Sequence, residues 1–224
     1  MGFSASLLDL LLPERCVACR VEGGLLCREC RAGLLRLGGT LCARCGAPTA
    51  WPVERCGECA GRRVPFGSAR AAVAYEGAAR RLVGAWKERG LGRIARLAAD
   101  LVAENVPPPR VDALTWIPGD ADRSRWRGVN PAEGLARELA ARWELPAVAL
   151  LKRTRPIARQ RGLPRSARRK NVQDAFSATT APAVVAVVDD VYTTGATAAV
   201  AAAALKRSGA GAVHVVTFAR AVRR

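Results

Sequence analysis

The sequence predicts an α/β protein: a doubly wound, mostly parallel sheet preceded by a small cysteine-rich module. Three observations carry that expectation. All eight cysteines lie between positions 16 and 59, and none follows. Beyond them, apolar runs of strand length alternate with stretches of helical periodicity. Val184–Val188 is a continuous apolar run ending in two acids, the pattern of a strand buried on both faces of a parallel sheet.

The cysteines form four C-x₂-C pairs: Cys16/Cys19, Cys27/Cys30, Cys42/Cys45 and Cys56/Cys59. Each pair makes a tight knuckle presenting two thiolates, and two knuckles close one tetrahedral Zn²⁺ site. A segment with so little apolar content cannot build a core alone, so two structural zinc ions are the expected staple. Disulfides and redox-active pairs are the competing readings, disfavoured in a reducing compartment. Spacing leaves both the sequential and the interleaved pairing open. Gly61, Pro65 and Gly67 supply turn chemistry after the last cysteine. The chain therefore divides into a zinc module with a short N-terminal helix, residues 1–64, and an α/β domain, residues 65–224.

The elements of the second part follow in order. Ala69–Ala74 reads as a short buried strand. Gly77–Arg89 places Leu82, Val83 and Trp86 at helical spacing, and Ile94–Val102 continues as a second helix that the prolines at 107–109 end. Val111–Ile117 reads as a strand, Pro131–Trp143 as a helix and Pro146–Leu151 as strand-like. After Val184–Val188 comes an Ala-rich helix, Thr197–Ser208, closed by Gly209, and then a last strand, Val213–Phe218. Trp86, Trp116, Trp126 and Trp143 are expected to pack, and His214 to sit in the core or on a sheet face.

Bulk properties narrow the function classes. The chain has 224 residues, half of them hydrophobic, with 36 Lys+Arg against 19 Asp+Glu and a net charge of +17. An anionic partner is expected. Leu7–Leu12 is too short to span a bilayer and lacks the flanks of a secretory signal, so a cytoplasmic protein without a membrane span is expected.

The most informative segment is Val184–Thr197, where the apolar run delivers Asp189 and Asp190 into a Thr/Gly loop that opens a helix. In open α/β sheets ligands bind at the carboxyl ends of strands. Backbone N–H groups and hydroxyls of Thr193, Thr194, Gly195, Ala196 and Thr197 suit a phosphate, aided by the positive end of the helix. Two adjacent carboxylates would repel that phosphate, whereas vicinal ribose hydroxyls donate to them, and Mg²⁺ would soften the local charge. A phosphorylated ribose satisfies both halves. The bland alternative is a helix-capping turn.

The loop resembles the phosphoribosyl pyrophosphate signature of type I phosphoribosyltransferases. Across Leu11 to Arg220 the chain is similar to the ComF family of competence-associated, phosphoribosyltransferase-like proteins. The likeness rests on the four cysteine pairs, on Tyr75, Gly77, Arg80, Arg81 and Lys87–Gly90, on Arg127–Pro131, on Gln160, Arg169 and Asn171, and on Val188–Thr197. It implies a type I phosphoribosyltransferase-like fold behind a double zinc ribbon, and phosphoribosyl pyrophosphate with Mg²⁺ as ligand. Asp189 and Asp190 would be the catalytic acids, and Lys87 and Arg127 would assist substrate binding. A role in DNA uptake and nucleoside metabolism is implied as well. The chain departs from the family pattern at Trp116–Asp120, Pro131 and Ile157, on the side where pyrophosphate would lie. Thr193 replaces an acid usual in purine-salvage members, which disfavours that chemistry because threonine is no general base near neutral pH.

Two functional readings remain open in the sequence. In one, the protein transfers phosphoribosyl to an acceptor the sequence does not name. In the other, it is a non-catalytic adaptor whose zinc module and basic surface engage single-stranded DNA or competence proteins. The basic stretch from Lys152 to about Thr180 carries nine Lys/Arg, which suit a pyrophosphate clamp, a nucleic-acid backbone or plain solvent exposure.

Overall fold

Aliphatic runs with strand periodicity set the sheet. The computed structural model describes residues 14–119, 130–154 and 175–222. Its main sheet has four strands: β1 (Ser68–Ala74), β2 (Ala113–Trp116), β5 (Val184–Tyr192) and β6 (Ala212–Arg220). They run in the order β1-β6-β5-β2, and every neighbouring pair is parallel. The central strands are the most apolar, as a sheet covered on both faces requires: Val185–Val188 and Val213 are fully buried.

Among the described residues five helices accompany the strands: α1 (Arg28–Ala32), α2 (Gly77–Arg89), α3 (Ile94–Asn105), α4 (Pro131–Trp143) and α5 (Ala196–Arg207). Leu82, Val83 and Trp86 line the buried stripe of α2, which ends where Gly90 takes a left-handed φ of 63°. Helices α3 and α4 pack on each other and on the main sheet. Asn130 starts α4 by accepting from the Ala132 N–H at 3.1 Å, with Pro131 at the position where no N–H is needed. The Ala-rich α5 lies on β5 and β6 and against a two-stranded antiparallel ribbon, β3 (Leu151–Arg153) with β4 (Phe176–Ala178). Its small side chains let backbone and sheet come close.

The α/β architecture with a mostly parallel sheet is thus as predicted, with three differences in detail. Residues 146–150 are not a strand: only Ala147 bridges Leu114 of the edge strand, and regular pairing begins at Leu151. β4 falls within the basic stretch, where three residues held by long-range pairing leave no periodicity to read. β5 runs on past Val188, pairing with β6 as far as Tyr192–Arg220, so both acids belong to the strand itself. Leu7–Leu12, Trp126, Arg127, Gln160, Arg169 and Asn171 lie outside the described residues, as does most of the basic stretch.

The cysteine module docks along β1. Leu37 N–H donates to Ala72 O at 2.9 Å and Ala74 N–H to Leu35 O at 2.8 Å, so residues 35–37 lie antiparallel on the outer edge of β1. Farther along, Ala69 N–H donates to Arg44 O at 2.8 Å. Gly46 is required here: a Cβ would stand 2.5 Å from the Ala69 carbonyl, and its φ is +68°.

Candidate functional site

The cysteines gather in two groups, Cys16/Cys19/Cys27/Cys30 and Cys42/Cys45/Cys56/Cys59. Within each group the four sulfurs lie within 4.8 Å of one another. The pairing is sequential, which spacing alone left open. All eight are free thiols. The closest sulfurs recorded, Cys19–Cys27 and Cys45–Cys56, are 3.6 Å apart. That is far beyond a disulfide and near the ~3.8 Å edge of a tetrahedron with Zn–S of about 2.3 Å. Each set therefore fits one structural zinc.

The electrostatics agree with that fit. Burial opposes ionisation of Cys16, yet N–H groups of Cys27, Cys19 and Ala18 hold its thiol down at about 6. Cys42 is also buried and likewise held at about 6, by N–H groups of Cys45, Cys56 and Arg44. Burial, then Cys19 and Cys27, push Cys30 up to about 12; burial and Cys59 raise Cys45. One sulfur per set is prepared as a thiolate, while Cys30 and Cys45 resist ionisation until a cation offsets the cost of their burial.

A second cluster of functional groups lies at the carboxyl end of β5. A pocket there is lined by Asp189, Val191, Tyr192, Thr193, Gly195, Ala196, Thr197, Ala198 and Thr217. Helix α5 begins at Ala196 with Gly195, at φ +72°, as a cap residue that offers no side chain of its own. Its leading N–H groups, which have no acceptor within the helix, thus lie at the pocket wall. Gly195 is fixed by packing too, since a Cβ would stand 2.2 Å from the Tyr192 hydroxyl oxygen. The Thr194 hydroxyl accepts from Ala196 N–H at 3.4 Å, and Thr194 does not line the pocket.

The two acids have separate environments. Asp190 is buried, and its carboxylate is gripped by Lys87 from α2, with contacts of 2.8 and 2.7 Å to its two oxygens. Lys87 therefore meets an acid rather than the Thr/Gly loop. Asp189 faces the pocket, and one of its oxygens accepts from the Asp190 N–H at 2.9 Å. Burial, then the charge of Asp190, push the Asp189 carboxyl up to about 8. The two adjacent acids are thus not equivalent: one is neutralised by a lysine, the other opens to the pocket.

Residues 7–60 match the double zinc ribbon domain family. The N-terminal module is a double zinc ribbon. Over almost its whole length the chain also has homologues. It is 29% identical to DNA utilization protein YhgH of Salmonella typhimurium (strain LT2), over 94% of this chain and 99% of that protein. The YhgH protein of Escherichia coli K12 matches with the same identity and coverage. Competence protein F of Haemophilus influenzae is 26% identical, over 92% of this chain and 97% of its own. The resemblance to the competence-associated ComF family is borne out by these relatives.

The ribbon reaches the pocket through residues that carry no local signal. Arg220, at the end of β6, is 1% exposed. It donates to Cys45 O at 2.6 Å and to Glu58 at 2.8 Å, and it stacks 4.7 Å over the Tyr192 ring. Arg62, just past Cys59, donates to Thr194 O at 2.7 Å. Thr217 enters the pocket because its strand register places it beside Asp189. On the other side of Asp189, Arg153 donates to Pro118 O at 2.9 Å, and Asn130 donates to Ile117 O at 3.1 Å. His214 lies half-buried with its Nδ1 2.9 Å from the Ser68 hydroxyl, away from the pocket. Trp86 and Trp116 are core residues. Among the described residues no helix is long and apolar enough to cross a membrane.

Proposed function

We propose that the protein binds phosphoribosyl pyrophosphate in the β5–α5 pocket and serves the uptake or use of DNA in the cytoplasm. One observation carries the ligand. One pocket joins the carboxyl group of Asp189 to the amino end of a helix entered through Thr193, Gly195 and Thr197. A ribose hydroxyl donates to the first and a 5′-phosphate accepts from the second. The relatives named for DNA utilization and competence support the link to DNA.

In this reading Asp189 holds the ribose as positive charge builds at its anomeric carbon, while the helix end fixes the phosphate. Transfer breaks the bond from that carbon to pyrophosphate and forms one to the acceptor nucleophile. Asp189 and the ligand oxygens offer the all-oxygen donor set that Mg²⁺ prefers, and the ion when bound neutralises the departing pyrophosphate. Asp190, fixed by Lys87, supports the backbone from which Asp189 projects.

The adaptor reading draws on a different observation, the 68% exposed Trp51 on a ribbon within a chain of net charge +17. Such a ring can stack on an unpaired base. A thermal-shift titration decides between them. Phosphoribosyl pyrophosphate with Mg²⁺ is expected to raise the melting temperature of the zinc-loaded protein, and Asp189→Ala with Asp190→Ala to abolish the shift at unchanged zinc content. No shift in the native protein, with retention of single-stranded DNA, would replace the ligand reading by the adaptor.

A further inference from the structure

We propose that Arg62, three residues past the last zinc-site cysteine, is a ligand-binding residue at the rim of the pocket: it supplies the cation that grips the phosphate of a phosphoribosyl compound. The inference rests on the ligand reading above and adds a residue from outside the α/β domain.

The loop itself is poor in positive charge. From Asp189 to Thr197 there is no lysine or arginine, and two acids stand at its start. Lys87 is committed to Asp190. The guanidinium that touches the loop comes from 132 residues upstream, where Arg62 donates to the Thr194 carbonyl at 2.7 Å. The side chain is exposed, and among the described residues no carboxylate pairs with it. Its charge also bears on the Tyr192 hydroxyl, which borders Gly195. A guanidinium has five donors in a planar fork; one bond to a carbonyl leaves others for phosphate oxygens.

Arg62 is held in place from behind. Its N–H donates to Cys59 O at 3.1 Å, and Ala60 N–H donates to Cys56 O at 3.0 Å, so the turn that carries it is built on the last metal knuckle. Gly61 provides that turn at φ +68°. Arg220 fixes the same knuckle region to the strand below through Cys45 and Glu58. The second zinc site thus gives a surface arginine a rigid base, which lowers the entropy lost when it closes on an anion.

Calorimetric titration of the zinc-loaded full chain with ribose 5-phosphate tests this, using Arg62→Ala, Arg62→Gln and Arg62→Lys. Glutamine keeps a donor for the Thr194 carbonyl but removes the charge. We expect alanine and glutamine to weaken binding alike, by about tenfold or more, with lysine recovering part of the loss and zinc content staying at two per chain. Native affinity in Arg62→Gln would overturn the inference while leaving the ligand reading intact. If the native protein bound neither ribose 5-phosphate nor phosphoribosyl pyrophosphate, both would fall together.

Discussion

The two zinc sites have the same four-cysteine composition and differ in what surrounds them. The first, Cys16 to Cys30, is tied to the α/β domain by surface ion pairs: Arg31 with Glu104, and Glu14 with Arg93 at 2.8 Å. The second, Cys42 to Cys59, has a buried arginine from the central sheet inserted against it and a second arginine extending from it to the Thr194 carbonyl beside the pocket. Identical coordination chemistry therefore serves two purposes. One site holds a module folded; the other also joins that module to the pocket.

The sharpest way to break this contrast uses two matched residues, Cys16 and Cys42, both 0% exposed. Cys16→Ala and Cys42→Ala should each lower zinc from two to one per chain, a loss on the order of 10 kcal/mol of metal-linked folding energy. Ribose 5-phosphate binding should survive the first and fail in the second. Metal analysis with parallel titrations checks it, and equal loss in both variants would erase the distinction.

A smaller effect is expected from Arg220→Met. It leaves Glu58 without its partner and removes the stack on Tyr192, and should cost about 3 kcal/mol in denaturant unfolding. Glu104→Gln at the first site should cost less than about 1 kcal/mol, since both partners are more than a third exposed. Comparable losses from the two would mean that burial does not separate them.

Acidity sharpens the pocket side of the comparison, with an effect between those two. The Asp189 carboxyl keeps its proton up to about 8 rather than the ordinary 3.8. Below that pH it is a donor, and only above it a full acceptor for a ribose hydroxyl. Affinity for ribose 5-phosphate without divalent cation should rise as pH climbs from about 7 to about 9, by at most about tenfold per unit. Asp189→Asn should flatten the profile. The unliganded fold feels the opposite sign: a raised carboxyl pKa costs stability progressively from about 4 up to about 8.

How much of this was legible in the sequence follows the range of the interactions. Val184–Val188 announced a central strand because burial on both faces leaves a local trace, and Asp189–Thr197 stood out because the motif is contiguous, with much of it lining the pocket. The cysteine pairs told of two metals, but their grouping needed the fold. Residues 146–150 misled because an apolar run at a sheet edge needs a partner strand to be regular, and only Ala147 finds one. Arg62, Arg220 and Thr217 gave no signal: each acquires its role across more than a hundred residues or from strand register. Lys87, expected to assist substrate binding, pairs with Asp190, a contact that no local pattern announces.

The antiparallel contact of residues 35–37 with β1 has a consequence for handling the protein. That segment occupies hydrogen-bonding groups which an open flank would offer to another molecule. Stripped of metal, the chain would bare a row of amides ready to recruit a neighbour's strand, and chelated samples should scatter light as they self-associate. Zinc in this architecture would then keep the protein monodisperse as well as folded.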